Sequence, residues 1–325
     1  MARAINQPAF AVIIPARNIE DFIGPTIKSV TDQTFQDFEL IVVVDSSTDA
    51  TVTIAQNTGD PRVKVDEVTL GGVSAARNHG LERTSARYVI FLDGDDLLTP
   101  DALSLFHETF RNHPNAVAVI GGHDKITEDG QSIPGEEASA RPPVPVPDPL
   151  PSLLRRNLIV NGGALAIRAE TAREVGGFDP ELRIGEDWEF WCRLAGAGPF
   201  ASLGQTTALL YRQRGASAMG GVSAETGLAK EAIAKIYQSP AVLRRFSARD
   251  LERMRRTALI NNFWSAARAT LYRSEYRRFA GFLAIGALRY PESLFQGFLI
   301  RFVTRKLFSR RSGPEAGTGA HARGA

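Results

Sequence analysis

The densest chemistry in the chain lies in six consecutive residues. Phe91-Leu92-Asp93-Gly94-Asp95-Asp96 sets three carboxylates at the end of an apolar run, with one glycine to let the backbone turn. Like charges at that spacing repel unless a cation neutralises them, and an all-oxygen donor set favours Mg2+ or Mn2+. The same residues also read as a plain turn in which Asp93 and Asp96 start the bend and cap the next helix, since Asp-Gly is a common turn pair. A second acidic pair, Glu186-Asp187, opens a segment bearing Trp188, Glu189, Phe190 and Trp191. Such a pair is either chemically active or a first-turn group favoured by the helix dipole. Trp188 and Trp191, three apart on one helical face, fit a core as well as a stacking surface.

A cation held by one or two carboxylates at a strand end usually serves a phosphate-bearing substrate. Neither a Walker loop nor G-x-G-x-x-G follows the first apolar run, which argues against a P-loop enzyme or a Rossmann dehydrogenase. Phosphate partners must then come from the cation, Arg77 and later basic residues. The single cysteine, Cys192, excludes an internal disulfide framework. The five histidines (His79, His107, His113, His123 and His321) show no metal-ligand spacing with it, so a zinc site is not expected.

The elements that must hold these groups alternate in type. Apolar, β-branched runs at Phe10–Ile14, Phe38–Val44, Arg62–Val68, Arg87–Leu92 and Ala116–Ile120 read as strands, and helical spacing fills Ile23–Gln33, Thr51–Gln56, Ser74–Thr84 and Pro100–Asn112. Ser74 and Thr99 are the expected caps. This alternation predicts βα units on a mostly parallel sheet, with ligands outside the carboxyl ends of the strands, where Asp45 and Asp93 fall. Proline-rich Arg141–Pro151 is expected to cross the surface extended, as neither helix nor central strand. A strand at Ala164–Ile167, a helix at Ala169–Val175, a Gly176-Gly177 turn, a helix from Asp187 to Leu194 and a strand over 200–211 follow. From about Glu225 to Arg311 the spacing is helical, and from Ser312 the composition suggests a disordered tail.

Composition is that of an ordinary globular protein, 43% hydrophobic and 23% charged over 325 residues. The net charge of +2 conceals an asymmetry: residues 241–311 carry 16 Lys and Arg against Asp250, Glu252, Glu275 and Glu292, so the first 240 residues sum to about −10. No signal-type apolar region opens the chain and no apolar run reaches the length of about 18 residues that a membrane span needs. A cytoplasmic protein, or one peripheral on the cytoplasmic face of a membrane, is expected. Leu294, Phe295, Phe298, Leu299, Phe302 and Val303 recur at helical spacing with Arg301 and Arg305 largely opposite. Residues 292–311 therefore read either as an interfacial helix on an anionic membrane or as a helix packed on protein. No nucleic-acid-binding motif is present.

Six segments together resemble the family 2 glycosyltransferases of the GT-A fold: Val12-Ile-Ile-Pro-Ala-Arg-Asn18, Glu39–Asp49, Gly72–Gly80, Tyr88–Asp96, Gly176-Gly-Phe-Asp179 and Gly185–Trp191. The resemblance covers roughly residues 8 to 220. It implies a GT-A type, doubly wound, mostly parallel α/β sheet, with a Rossmann-like nucleotide-binding half and an acceptor half in residues 1–222. A basic helical extension over 223–311 and a tail over 312–325 would follow. It further implies an inverting, non-processive hexosyltransferase moving one sugar from a nucleotide-diphosphate sugar, UDP-linked by preference, to a sugar or lipid-linked sugar acceptor in bacterial surface polysaccharide or glycolipid synthesis. On that footing Asp187 is the general base with Glu186 beside it, and Asp93 and Asp95 hold the cation. Pro15, Arg17, Asn18, Asp45, Ser46, Arg77, Asn78, Asp93, Gly94, Arg212, Arg214 and Ser217 would meet the donor, and Gly162, Gly163 and Trp188 the acceptor.

The chain departs from the family pattern at three places. Ser46 replaces the second acid after the second strand, Arg17 an aromatic, and Arg214 a histidine; serine accepts hydrogen bonds and arginine stacks on bases and pairs with phosphate, so each role survives in another form. The Gln-x-x-Arg-Trp motif of processive synthases is absent. Two other classes compete. A haloacid-dehalogenase-like phosphohydrolase also places Asp-x-Asp after a strand, but early in the chain and with Thr or Val where Leu97 stands. A catalytically silent sugar-nucleotide-binding protein would have no need of both Asp95 and Asp187.

Overall fold

The computed structural model describes residues 7–133, 146–214, 230–272 and 275–293. Strands β1 (Phe10–Ala16), β2 (Phe38–Asp45), β3 (Val63–Val68) and β4 (Tyr88–Phe91) lie parallel in the order β3-β2-β1-β4. The inner three are apolar along almost their whole length because both faces are covered, so alternate residues feed opposite cores. Phe10, Val12 and Ile14 enter the layer shared with α1 (Glu20–Thr31), α2 (Thr51–Gln56) and α4 (Ala102–Asn112), whereas Ala11 and Ile13 enter the layer shared with α3 (Val73–Glu82). In α4, Leu103, Phe106 and Phe110 make the buried stripe.

Beyond β4 the sheet changes direction. Strand β7 (Leu165–Arg168) runs antiparallel to β4, and β6 (Ala118–Ile126) antiparallel to β7. The long β8 (Phe200–Arg212) pairs parallel with β6, and the two-residue β5 (Leu97–Leu98) pairs antiparallel with β8, which closes the order β3-β2-β1-β4-β7-β6-β8-β5. No apolar run announces β5, yet it matters, because it pins the far end of the acidic turn after β4. Helices α6 (Ala169–Glu174) and α7 (Glu186–Ala197) lie on the α3 side, and α7 buries Trp188, Phe190, Trp191 and Leu194 there.

Three expectations are corrected. Ser74 sits inside α3, whose N-cap is Gly72, and Asp101, not Thr99, precedes α4; neither cap uses a side chain. Thr99 instead donates its hydroxyl to the Thr207 carbonyl at 3.1 Å, serving the β5–β8 connection. The proline-rich stretch ends in a short helix, α5 (Leu150–Leu153), because Pro151 falls in its first turn, where no intrahelical N–H is needed. Its residues 141–145 lie outside the described set, and Val146 bridges Phe200.

Helical spacing after residue 229 does not reveal which core the helices cover. Ala232, Ile233, Ile236 and Tyr237 of α8 (Lys230–Gln238), Val242 of α9 (Pro240–Arg245), and Met254 and Ala258 of α10 (Ala248–Tyr272) all join the core on the α7 side. The chain divides into two compact units between Phe263 and Trp264, within α10, whereas the sequence reading starts a separate extension at 223. In the second unit, α11 (Tyr276–Arg289) is followed by a 3-10 turn at Pro291–Ser293, and Trp264 Nε1 donates to Ser293 Oγ at 2.8 Å. The interfacial pattern of 294–306 and the tail lie outside the described residues. Among the described residues no helix is long and apolar enough to cross a membrane.

Helix α3 lies close on β1 because Gly80 faces Ile13; a Cβ at Gly80 would overlap Ile13 Cγ2 and crowd Cγ1 at 3.2 Å. Gly80→Ala should therefore cost about 1–3 kcal/mol through overpacking despite alanine's better helix propensity. Urea unfolding checks this: an unchanged midpoint would mean that α3 shifts freely on the sheet.

Candidate active site

The acidic turn 93–96 is built by what holds its last residue. Asp96 is buried and accepts from the Arg212 backbone N–H at 2.7 Å and from Asn161 Nδ2 at 2.5 Å. Burial above all, together with the charges of Asp93 and Asp95, pushes its pKa up to about 8. Arg212 adds a clamp, its Nε donating to the Asp95 carbonyl at 2.6 Å and its Nη1 to the Glu128 carbonyl at 2.8 Å. With Asp96 tied down, Asp93, Gly94 and Asp95 face an open cleft of about 440 Å³.

Each of the two outward carboxylates has one arginine. Arg77 Nη2 donates to Asp93 Oδ1 at 2.8 Å, and Arg214 Nη1 to Asp95 Oδ2 at 2.9 Å. Arg77 also donates Nη1 to Glu186 Oε1 at 3.1 Å, so one guanidinium bridges the two acidic motifs. Burial opposes its charge, yet the adjacent Asp93 and Glu186 hold Arg77 above its ordinary pKa. The Arg214 guanidinium rests 4.4 Å from the centre of the Phe22 ring, a cation–π contact that seats it over the turn.

Glu186 and Asp187 open α7 after Gly185, whose φ of 77° is the left-handed conformation that glycine adopts without strain. Asp187 is half-buried in the cleft wall. Its Oδ1 accepts from the Trp188 N–H at 2.6 Å and its Oδ2 from Asn157 Nδ2 at 3.2 Å. Burial first, then the Glu186 charge, push its pKa up to about 7. Asn157 lies 30 residues away in sequence, and no sequence signal marked it.

Asp45 ends β2 at the same edge of the sheet. Its carboxylate accepts from Leu70 N at 2.8 Å and from Gly71 N and Gly72 N at 2.9 Å each, and burial notwithstanding these bonds lower its pKa. It thus shapes the loop leading into α3 as well as lining the cleft.

The cleft collects most of the residues singled out from sequence. Its lining includes Pro15, Arg17, Asp45, Arg77, Asp93, Gly94, Arg212 and Arg214; Asp95, Gly162, Glu186 and Asp187 complete the set. A side chain at Gly162 would run into the Phe91 backbone carbonyl, so the wall there can only be glycine. Five others sit apart from the lining. Asn18 (φ 49°) accepts from Thr48 N at 2.8 Å, and Ser46 (φ 56°) donates to Asp45, so both shape the loop after β2. Asn78 is spent on the Phe178 backbone, and Gly163 points inward, its Cβ position 2.7 Å from Leu209. Trp188 is a core residue, its Nε1 donating to the Leu153 carbonyl at 2.7 Å. Ser217 lies outside the described residues. Tyr211 and Asn161 also line the cleft, and burial followed by the acids pushes Tyr211 up to about 12.

The donor set suits a hard divalent cation that keeps most of its ligands from elsewhere. Asp93 and Asp95 each offer a second carboxylate oxygen with no hydrogen bond among the described residues, and no cluster of three or more His, Cys, Asp or Glu poised for a metal occurs among those residues. Two carboxylates completed by substrate phosphates and water is the usual Mg2+ arrangement.

The model of Glycosyl transferase family 2 matches residues 11–175. Over 130 residues the chain is 35% identical to TuaG of Bacillus subtilis, a protein named for teichuronic acid biosynthesis, covering 39% of this chain and 51% of TuaG. The chain thus spans about half the length of that relative. Among solved structures, S. aureus TarS residues 1–349 in complex with UDP-GlcNAc superpose with a TM-score of 0.65 at 20% identity, over 84% of this chain and 79% of that one. The Pyrobaculum calidifontis mannosyltransferase PcManGT in complex with GDP-Man and Mn2+ superposes with a TM-score of 0.55 at 18% identity, over 94% and 88%. At those identities the likeness shows the fold, the GT-A arrangement of a mixed α/β sheet followed by helices.

Because Asp96 holds its proton more tightly folded than unfolded, its contribution to stability is full below its ordinary pKa of 3.8 and fades as pH rises through about 8. Asn161→Asp would place a second carboxyl against it. The variant should lose several-fold more stability at pH 8 than at pH 5, as read from urea midpoints; an equal loss would show that Asp96 is not compressed as described.

Proposed function

Since the chain belongs to glycosyl transferase family 2, we propose that it transfers one sugar from a nucleotide-diphosphate donor, UDP-linked by preference, to an acceptor hydroxyl with inversion at the anomeric carbon. The observation that carries this reading is the placement of Asp187, a carboxylate with a pKa of about 7, in the same cleft as Asp93 and Asp95. A base works best when its pKa lies near the working pH. Asp187 would take the proton from the acceptor hydroxyl as its oxygen bonds to the anomeric carbon and the nucleoside diphosphate leaves from the opposite face. Asn157 fixes the carboxylate's orientation, and Glu186 raises its affinity for the proton.

The leaving diphosphate needs positive charge where its own charge develops. A divalent cation on Asp93 and Asp95 would supply most of it when bound. Arg17 and Arg214 stand on the cleft wall as further partners, with the base-binding end toward Asp45. UDP and GDP donors in the superposed TarS and PcManGT structures support a nucleotide sugar without choosing the base. TuaG and the B. subtilis minor teichoic acid biosynthesis protein GgaB, 33% identical over 116 residues, support an acceptor in bacterial surface-polymer or glycolipid synthesis. A lipid-linked acceptor would give residues 292–311 a membrane role.

Calorimetric titration with UDP, GDP, dTDP and CMP, each with Mn2+ and then with EDTA, tests the donor half. One nucleoside diphosphate should bind, and only with the cation; binding by none would defeat the reading. Asp187→Asn should lower kcat by about 10²–10⁴-fold with donor affinity nearly intact, and in the wild type kcat should rise with pH through about 7 as Asp187 deprotonates. Asp95→Ala should abolish cation-dependent nucleotide binding; binding that persists with chelator present would remove the cation assignment.

A further inference from the structure

Asn78 neighbours Arg77 on α3 but is used differently. Its Nδ2 donates to the Phe178 carbonyl at 2.8 Å while its Oδ1 accepts from the Phe178 N–H at 2.7 Å, a two-point grip on the turn that precedes α7. Gly177 makes the grip possible: its φ is 66°, and a Cβ there would stand 2.5 Å from Asn78 Oδ1. From the other side, Arg193 of α7 donates to the Val175 carbonyl and, at 2.7 Å, to the Gly177 carbonyl, itself aligned by two bonds to Glu189 at 2.7 and 2.6 Å. The turn is thus gripped by α3 and by the helix that carries Glu186 and Asp187.

What the turn presents is Phe178. Its buried ring lies 5.0 Å from the Arg77 guanidinium carbon and meets Phe91, two residues before Asp93, edge-on at 4.9 Å. Seated on that ring, Arg77 sends one arm of its fork to Asp93 and the other to Glu186. Its remaining Nε–H is buried and has no partner among the described residues. Both outer arms of the fork are therefore committed to protein.

We infer that Arg77 is a brace between the two acidic motifs, with Asn78 and Phe178 as its positioning residues, and that the three set turnover instead of holding the donor phosphates. A planar fork meets two carboxylates with two separate nitrogens and holds them apart at a fixed spacing, whereas an ammonium draws both to one point. Without the brace, Asp93 and Glu186 face each other across the cleft uncompensated, and the base loses its registry with the anomeric carbon. The inference rests on the transferase reading for its kinetic part alone.

The test uses the full-length chain. Arg77→Lys should leave UDP affinity in the presence of Mn2+ within about threefold while kcat for the sugar donor falls about a hundredfold, since misplacement near 1 Å costs that much. Asn78→Asp keeps the bond from the Phe178 N–H and loses the one to its carbonyl, so it should show the same pattern with a smaller loss. A separate readout needs no activity: Arg77→Met should lower the urea midpoint, and adding Asp93→Asn with Glu186→Gln should restore it. Tenfold weaker UDP binding by Arg77→Lys with kcat retained would make Arg77 a phosphate contact and overturn the brace, as would a midpoint the two neutral substitutions fail to restore. A wild type that binds no nucleotide and releases no sugar defeats the transferase reading, and the unfolding comparison then still decides the brace.

Discussion

Five carboxylates converge on one end of the sheet, and the rest of the site is organised by the need to keep them there. Asp93, Asp95 and Asp96 arrive in one turn, Glu186 and Asp187 on one helix end. Left to themselves, carboxylates at such separations drive each other apart or bind protons. The chain uses three remedies. Asp96 is buried and drawn toward its neutral form, Asp93 and Asp95 each face a guanidinium, and Asp187 keeps a proton affinity near neutrality. The paired acids take partners from elsewhere in the chain, Arg214 for Asp95 and Arg77 for Asp93 and Glu186 together, while the bonds from Asn161 and Arg212 hold Asp96 in place and oppose its protonation.

Several of these groups arrive at strand ends along one edge of the sheet. The parallel block β3-β2-β1-β4 delivers Asp45 and Asp93 to one edge because every strand in it ends on the same side. Arg212 reaches the same edge because β8, parallel to β6, runs in the direction of the block and ends on that side. The long β8 runs past the acidic turn, and β5, antiparallel to β8, locks the two together.

Much of this was readable from residue order. Asp45 and Asp93 are legible because a carboxylate directly after a β-branched apolar run has few places to be other than a strand end. The family assignment rested on six short motifs, and the family model and the shared GT-A fold agree with it. What the sequence withheld is direction. Arg77 and Asn78 are neighbours in one motif, yet one faces the cleft and the other a backbone turn about 100 residues on, and nothing local separates them. Asn157 contributes through a single tertiary bond with no periodic signature. Trp188, the first aromatic after the acids, turned inward because α7 must bury that face on the core. The helices after residue 229 were hard to place for the same reason: an amphipathic stripe shows that a helix is covered, not by what.

The pairing of Arg214 with Asp95 above Phe22 bears on how anything charged enters the cleft. The protein carries its own counterions, so an arriving phosphate or cation that engages Arg214 or Asp95 meets a group already paired. Entry is thus an exchange, with the attraction of the newcomer set against a bond given up. Selectivity in such a site comes from which newcomer best compensates both released charges at once, and a lone anion or a lone cation satisfies only one of them.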